Sequence, residues 1–390
     1  MHPTGPTLDV EAAVRKRYSQ AAQRSEAALC CPVDYDSRFL KVLPAELVER
    51  DYGCGDPSQH LGAGETVLDL GSGGGKICYI AAQVVGPTGR VIGVDKNDQM
   101  LALARRYQQQ IGEALGYHNT EFCKARIQDL GLDLEAFEAY LAERPVGSAD
   151  DWIAAEAHAA HLRRTSPLIP DESVDVVISN CVLNLVTPGD RRQLFAELFR
   201  TLRRGGRVVI SDIVSDQPVP QRLRDDPALW SGCISGAFGE EEFLRQFEAA
   251  GFYGVELVAC QQDPWATVEG IEFRSVTVRA FKGKEGPCLD HREAVIYRGP
   301  WQSVTDDDGH VLRRGVRTAV CRKTFEIYTR APYAEQIMPV PPRGEVTAGD
   351  ARPFDCRPGS VRDPQETKGL DYQETQLPGE GCCEPGDACC

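Results

Sequence analysis

The stretch Val67-Leu-Asp-Leu-Gly-Ser-Gly-Gly-Gly-Lys76 decides the fold. Val67, Leu68 and Leu70 read as a short buried strand with Asp69 near its carboxyl end. Gly71, Gly73, Gly74 and Gly75 follow at once, and Ile77 to Val85 is apolar at helical spacing. Strand, tight glycine turn and helix start bring backbone N–H groups to the carboxyl edge of a parallel sheet, where a ligand can sit. A glycine turn alone is weak evidence, since glycines also serve plain turns. Here a second strand, Arg90-Val-Ile-Gly-Val-Asp95, ends in an acid. A carboxylate at that place holds the ribose hydroxyls of a nucleotide cofactor. Lys76 stands where a dinucleotide fingerprint has its last glycine, and there is no G-x-x-x-x-G-K-[ST] phosphate loop. The pattern tilts away from NAD and ATP and towards S-adenosylmethionine, whose sulfonium needs no pyrophosphate cradle. The bland alternative is a flavodoxin-like sheet without a nucleotide.

Around this core the chain reads as α/β and Rossmann-like. At 390 residues it is long enough for two domains or one with appendages. No apolar run approaches the roughly 20 residues of a membrane span, and Met1-His-Pro-Thr-Gly-Pro lacks the regions of a signal peptide. A cytoplasmic protein without membrane association is expected. The formal charge of −15 argues against nonspecific nucleic-acid binding. Fifteen cysteines are the outlying feature. In a long cytoplasmic chain they point to metal or metalloid binding or to thiol chemistry rather than to a disulfide framework. Cys78, Cys123, Cys260 and Cys321 lie in helix- or strand-like contexts and read as small buried hydrophobes.

Residues 8 to 28 look helical and charged, and residues 1–60 are expected to form an N-terminal helical cap carrying Cys30, Cys31 and Cys54. In Asp51-Tyr-Gly-Cys-Gly-Asp-Pro57, Cys54 stands between two glycines in a loop, a place with little packing to do. The cofactor domain is expected over 61–282. Its strands are 66–70, 90–95, 120–125, 175 to about 180 and 207–212, and Arg126-Ile-Gln-Asp-Leu130 makes the turn after the third. Residues 131–170 read as a helical insertion. His158 and His161 lie one turn apart on it, more in keeping with a packed or solvated face than with a metal pair. Cys181 falls just past the fourth strand, on the ligand edge of the sheet, and Cys233 lies in a small-residue loop. Residues 252 to 281 alternate as a closing hairpin. Beyond Lys282 the period changes, and 283–340 reads as a small β-containing domain with short strands at 293–297, 317–320 and 324–328. Residues 341–390 are rich in Pro, Gly, Asp and Glu and read as a disordered tail, ending in two Cys-Cys pairs suited to soft-ion capture.

The chain resembles arsenite S-adenosylmethionine methyltransferases along nearly its whole length. The resemblance is carried by Tyr-Gly-Cys-Gly at 52–55, VLDLGSGGGKICYIAAQVVGPTGRVIGVD at 67–95, SNCVLNLV at 179–186, GGRVVISDI at 205–213 and CISGA at 233–237. It implies a class I methyltransferase sheet and a trivalent arsenic site built from Cys54, Cys181 and Cys233. Cys31, or its neighbour Cys30, aligns with a further cysteine of the redox cycle. Asp95 is implied to bind the ribose, Asp69, Gly71, Ser72 and Gly73 the amino-acid part, Ile127 and Gln128 the adenine. Asn180 is counted with them. The implied partners are arsenite or methylarsenite as thiol conjugates and a cellular thiol reductant, glutathione or thioredoxin. The insertion at 131–170, Gly-Ala-Phe-Gly at 236–239 and the doubled N-terminal cysteine depart from the family pattern. Two rival readings are a methyltransferase for a small organic molecule, which leaves three cysteines with no shared task, and a metalloid-sequestering protein, which wastes the cofactor site.

Overall fold

The computed structural model describes residues 9–26, 29, 33–50, 52–356 and 359–375. Cys30, Cys31 and the terminal Cys-Cys pairs fall outside the described residues. The chain divides into two compact units, Met1–Gly283 and Lys284–Cys390.

The first unit opens with three helices, α1 (Val10–Ala21), α2 (Ser37–Leu40) and α3 (Ala45–Glu49). The parallel core follows as β1 (Thr66–Leu70), α4 (Lys76–Val85), β2 (Arg90–Asp95), α5 (Asp98–Leu115) and β3 (Thr120–Lys124). Asn97 starts α5 by accepting the N–H groups of Gln99 and Met100, and Gly116 ends it in a left-handed conformation. The insertion is the helix pair α6 (Leu134–Glu143) and α7 (Ala149–Thr165), capped by Asp133 and Ser148. On α7 the His158 ring stacks on Tyr140 at 3.9 Å between centroids, a packed helix face. Then come β4 (Val174–Asn180), α8 (Arg191–Thr201), β5 (Leu202–Ser215), α9 (Gln221–Arg224), α10 (Pro227–Ser231), β6 (Phe238–Gly239), α11 (Glu240–Ala249), β7 (Tyr253–Cys260), β8 (Ala266–Val268) and β9 (Ile271–Phe281).

The sheet runs β3-β2-β1-β4-β5-β9-β7, with β6 beside β5 and β8 beside β9. Pairings from β3 through β5 are parallel, and β9 is antiparallel to both β5 and β7. Alternate residues feed two cores, one on each face. Leu68, Val177 and Ile210 enter one; Val67, Ile178 and Val209 enter the other. A sheet covered on both faces explains the near-continuous apolar strands. The order β1-β4 at the centre reverses the run of the chain, and such a switch point is where open sheets hold ligands. No described helix is long and apolar enough to cross a membrane.

The N-terminal helices pack within the first unit rather than forming a body of their own. Arg17 on α1 donates to Ala228 O at 2.8 Å and Ser231 Oγ at 3.2 Å on α10.

The second unit holds β10 (Leu289–Asp290), β11 (Ala294–Tyr297), β12 (Ser303–Thr305), β13 (Val311–Arg313), β14 (Arg317–Ala319), α12 (Arg322–Tyr328), β15 (Ile337–Val340) and β16 (Arg352–Pro353). Its sheets are β14-β11-β15, β12-β13 and β10-β16, around a core that includes Val295, Tyr297, Tyr328 and Ile337. Two expectations are corrected here. Residues 324–328 are helical, not a strand. Cys321 Sγ accepts the Thr324 N–H, and Arg322 pairs with Glu326 one turn on at 2.8 Å, so cap and ion pair outweigh β-prone Thr, Phe, Ile and Tyr. The stretch from 341 to 375 is not structureless in its described part. Arg362 is buried, pairs with Asp290 at 2.6 Å and donates to the Glu293 carbonyl at 3.3 Å. One of the charges that read as solvating, Arg362, is thus paired inside the unit, while most of the others are exposed.

Candidate active site

The glycine turn is shaped by its left-handed residues. Gly71 has φ +69°, and a Cβ there would sit 2.4 Å from a Val182 methyl. Gly73 has φ +53° with nothing within 4 Å of the same position, so its face is open to the cavity. The Gly73 N–H donates to Asp95 Oδ2 at 2.9 Å and the Asn97 N–H to Asp95 Oδ1 at 2.8 Å. Burial raises the Asp95 carboxyl pKa against the pull of these N–H groups. Asp69 is buried and accepts the Cys78 thiol at 3.1 Å. Lys76, the departure from the dinucleotide pattern, is buried with its ammonium 3.7 Å from the Tyr35 ring centroid.

One cavity lies over this edge. It is lined by Asp69, Gly71, Ser72, Gly73, Asp95, Ile127, Gln128 and Asn180, all eight residues named from the sequence for the cofactor, and by Cys181. Ser72 Oγ is buried with no hydrogen-bond partner among the described residues, a donor left for a ligand. A glycine face without a neighbour, an unpartnered hydroxyl and an acid at the tip of β2 fit S-adenosylmethionine. Asn180 differs from the others. Its Oδ1 accepts the Cys54 N–H at 2.8 Å and the Gly55 N–H at 3.1 Å, and its Nδ2 donates to Gly55 O at 2.7 Å. Its amide therefore clamps the Cys54 loop.

Glycines flank Cys54 because the loop lies directly on the sheet. A Cβ at Gly53 would be 2.2 Å from Asn180 Nδ2, and one at Gly55 2.5 Å from Ser211 Oγ. Ser275 Oγ donates to the Cys54 carbonyl at 2.6 Å. The structure thus brings Cys54 beside Cys181 and Cys233, in one buried apolar cluster with Ile213, Ile234 and Phe273. Cys181 is the hub. The Cys233 thiol donates to the Cys181 carbonyl at 3.3 Å, and the Cys181 thiol has both other thiols as neighbours. These neighbours, Cys233 first and then Cys54, together with burial hold the Cys181 thiol well above its ordinary pKa, and burial raises that of Cys54. The three sulfurs are adjacent but not gathered. Among the described residues, the groups with three ligand atoms all within 4.8 Å of one another lie in the second unit.

Cys181 and Cys233 both have left-handed backbones, φ +63° and +61°. For a residue with a Cβ this costs about 1–3 kcal/mol each. The strain is held by neighbours. Cys181 N–H donates to Ser211 O at 2.7 Å, and beyond it Asp212 accepts the N–H groups of Leu183 (2.8 Å) and Asn184 (3.3 Å). Asp212 is buried, which pushes its carboxyl up to about 6. On the Cys233 side, a Cβ at Gly236 would be 2.0 Å from Asn184 O, so only glycine lets the two loops meet.

The sequence reading missed Tyr18. It lies beside Cys233, and burial first, then the charges of the neighbouring thiols, keeps the phenol from ionising. Nothing local in α1 signals this, since the contact spans more than two hundred residues. Cys31 lies outside the described residues.

A methyltransferase-domain family matches residues 61–146 and 154–251, and a domain of unknown function matches 284–372. An arsenite methyltransferase of Aquipseudomonas alcaligenes is 31% identical over 340 residues, covering 82% of this chain and 88% of the relative. The human arsenite methyltransferase is 28% identical over 370 residues, covering 90% and 88%. Among solved structures, an arsenic(III) S-adenosylmethionine methyltransferase from Chlamydomonas reinhardtii matches with TM-score 0.54 and 26% identity, over 83% of this chain and 100% of that one. On sheet order, cofactor cavity and these relatives together, the chain belongs to the S-adenosylmethionine-dependent arsenite methyltransferase family.

Proposed function

We propose that Cys54, Cys181 and Cys233 hold trivalent arsenic as thiolates and that the chain methylates it from the adjoining cavity. The observation carrying this reading is that two of the three cysteines occupy left-handed backbone conformations within one buried cluster at the cavity edge. Strain of that kind persists where surrounding structure enforces it, and it collects at working sites. Simple packing gives no reason to put a thiol there twice.

Arsenic(III) is soft, and thiolates are its natural ligands. Arsenous acid carries three hydroxides. Each is replaced by one thiolate, and the thiol proton leaves with the departing hydroxide as water, so protonated thiols suffice. Cys54 and Cys233 need only close on Cys181, which lies beside both in the same buried cluster. Bound in the cavity, S-adenosylmethionine supplies the methyl group in line to the arsenic lone pair and leaves as S-adenosylhomocysteine. That lone pair carries no proton, so no general base is required. The work of the chain is placement and exclusion of water. Asp95 binds the ribose, Asp69 with Gly71, Ser72 and Gly73 holds the amino-acid part, and Ile127 and Gln128 flank the adenine. Asn180 positions the Cys54 loop. Methylation leaves arsenic pentavalent, and two electrons from thiols return it to the trivalent state. A glutathione- or thioredoxin-class reductant, and Cys31 or Cys30, serve that step.

The test measures S-adenosylhomocysteine formation with and without arsenite. Formation that requires arsenite, and S-adenosylmethionine affinity lowered about tenfold or more in Asp95→Ala by loss of a charged hydrogen bond, support the assignment. Turnover of an organic acceptor with no response to arsenite would remove it.

A further inference from the structure

The second unit contains a thiol cluster of its own. The sulfurs of Cys288, Cys321 and Cys356 all lie within 4.8 Å of one another. Cys321 was expected to be a small buried hydrophobe. It is buried, but it has company. The three residues come from segments 33 and 35 positions apart, brought together by specific pairing. Leu289 pairs with Pro353 in the β10–β16 ladder, and the Phe354 N–H donates to Cys288 O at 2.9 Å. That ladder sets Cys288 beside the strand leading to Cys356. Arg362 fixes it by gripping Asp290 with two bonds, at 2.6 and 3.2 Å. Cys321 is fixed independently at the head of α12, where its sulfur accepts the Thr324 N–H at 3.4 Å and lies 3.2 Å from Thr324 Oγ1.

Geometry, access and charge are suited to a soft ion. With metal–sulfur bonds of about 2.3 Å, three sulfurs on one ion lie about 4.0 Å apart in a plane and closer in a pyramid. The trio, within 4.8 Å of one another, needs to draw in by only about an ångström to hold one ion. Cys288 and Cys356 are half-exposed, so an ion can enter, while Cys321 closes the floor. Burial pushes the Cys288 thiol up, but bonds with Cys356 and Cys321 and the Lys323 ammonium outweigh it, and its net shift is downward. Burial first, then Cys288 and Cys321, push Cys356 up to about 12. Among the described residues no fourth His, Cys, Asp or Glu joins the group. Structural zinc wants four protein ligands. A trivalent arsenical is satisfied by three and keeps its lone pair.

We propose that Cys288, Cys321 and Cys356 form a second arsenic(III)-binding site, separate from the methyl-transfer site and built into the C-terminal unit. Arsenous acid binds there by exchanging three hydroxides for three thiolates, with release of three waters and no change of oxidation state. The cofactor-binding residues named above all belong to the other unit, and this site is composed of different residues. The choice of arsenic rests on the arsenite reading of the methyl-transfer site; the thiol geometry does not.

The test is differential alkylation of the reduced full chain, read by peptide mass spectrometry, with arsenite alone, zinc alone or neither. Native labelling is with a light maleimide, and labelling after unfolding is with a heavy one. Arsenite should slow labelling of Cys288 and Cys356 together, at least tenfold. Zinc at the same concentration should not. Protection of Cys288 should disappear in Cys356→Ser, a half-exposed position, and in Cys321→Ser. Equal labelling with and without arsenite, protection by zinc but not arsenite, or protection of Cys288 that survives both substitutions would overturn the proposal. Because Cys54, Cys181 and Cys233 are mapped in the same digest, failure of either site shows separately.

Discussion

At the residue scale, the account turns on backbone geometry at two cysteines. Cys181 and Cys233 sit at φ +63° and +61°, where glycine alone is at ease. Cys181→Gly should therefore be more stable than Cys181→Ala by about 1 kcal/mol, the reverse of the usual order in regular structure. Urea unfolding of the two variants measures this, and an Ala variant equal to or better than Gly would show that no strain is held there. The thiols also set a pH signature. Cys181, through the neighbouring thiols of Cys233 and Cys54 and through burial, and Cys54, through burial, ionise above the ordinary thiol range when folded. Unfolded thiols ionise near pH 8.5. Above that pH the native state binds more protons than the unfolded state, so stability falls as pH rises, by at most about 1.4 kcal/mol per unit for each group. Urea midpoints from pH 7 to 10 should fall less steeply in Cys54→Ala/Cys181→Ala than in the parent chain. Identical slopes would place both thiols in an ordinary environment.

At the element scale, α1 acts on the site from a distance. Arg17 ties it to α10, just before Cys233, and Tyr18 reaches the Cys233 thiol itself. Arg17→Ala removes these bonds without touching the cavity. Arsenite turnover should fall roughly tenfold, the effect of about 1.4 kcal/mol, while S-adenosylmethionine affinity by calorimetry stays within about threefold. Loss of both together would mean that α1 holds the whole fold rather than the loop. None of this was legible in the sequence, because helix spacing in residues 8–28 does not say what the helix faces. The strands were legible. β1, β2, β4 and β5 are covered on both faces, so apolar runs such as Val176-Val-Ile announce themselves. Gly71 and Gly73 were readable for a related reason, since a left-handed turn at a strand end admits little else. Thr324 to Tyr328 misled because its β-branched and aromatic residues suit a strand, whereas a cysteine cap and one ion pair make it a helix.

At the scale of the whole molecule, the cysteines sort into groups that spacing alone did not separate. Cys78 donates to Asp69 beneath the cofactor turn, and Cys123 is buried in the sheet core. Cys54, Cys181 and Cys233 meet at the carboxyl edge of the sheet, and Cys288, Cys321 and Cys356 meet in the second unit. The first trio was found through its flanking motifs, which resemble a known family. The second lay hidden because each member is more than thirty residues from the next and carries no motif. The central claim is that the first trio presents one arsenic atom to the cofactor cavity, and single turnover tests it most directly. Full-length chain, arsenite, S-adenosylmethionine and a reducing thiol are mixed and arsenic products are read by mass spectrometry. The parent chain should yield methylated arsenic matched by S-adenosylhomocysteine, and Cys181→Ser should yield none while still binding S-adenosylmethionine. Undiminished methylation of arsenite by Cys181→Ser would contradict the account.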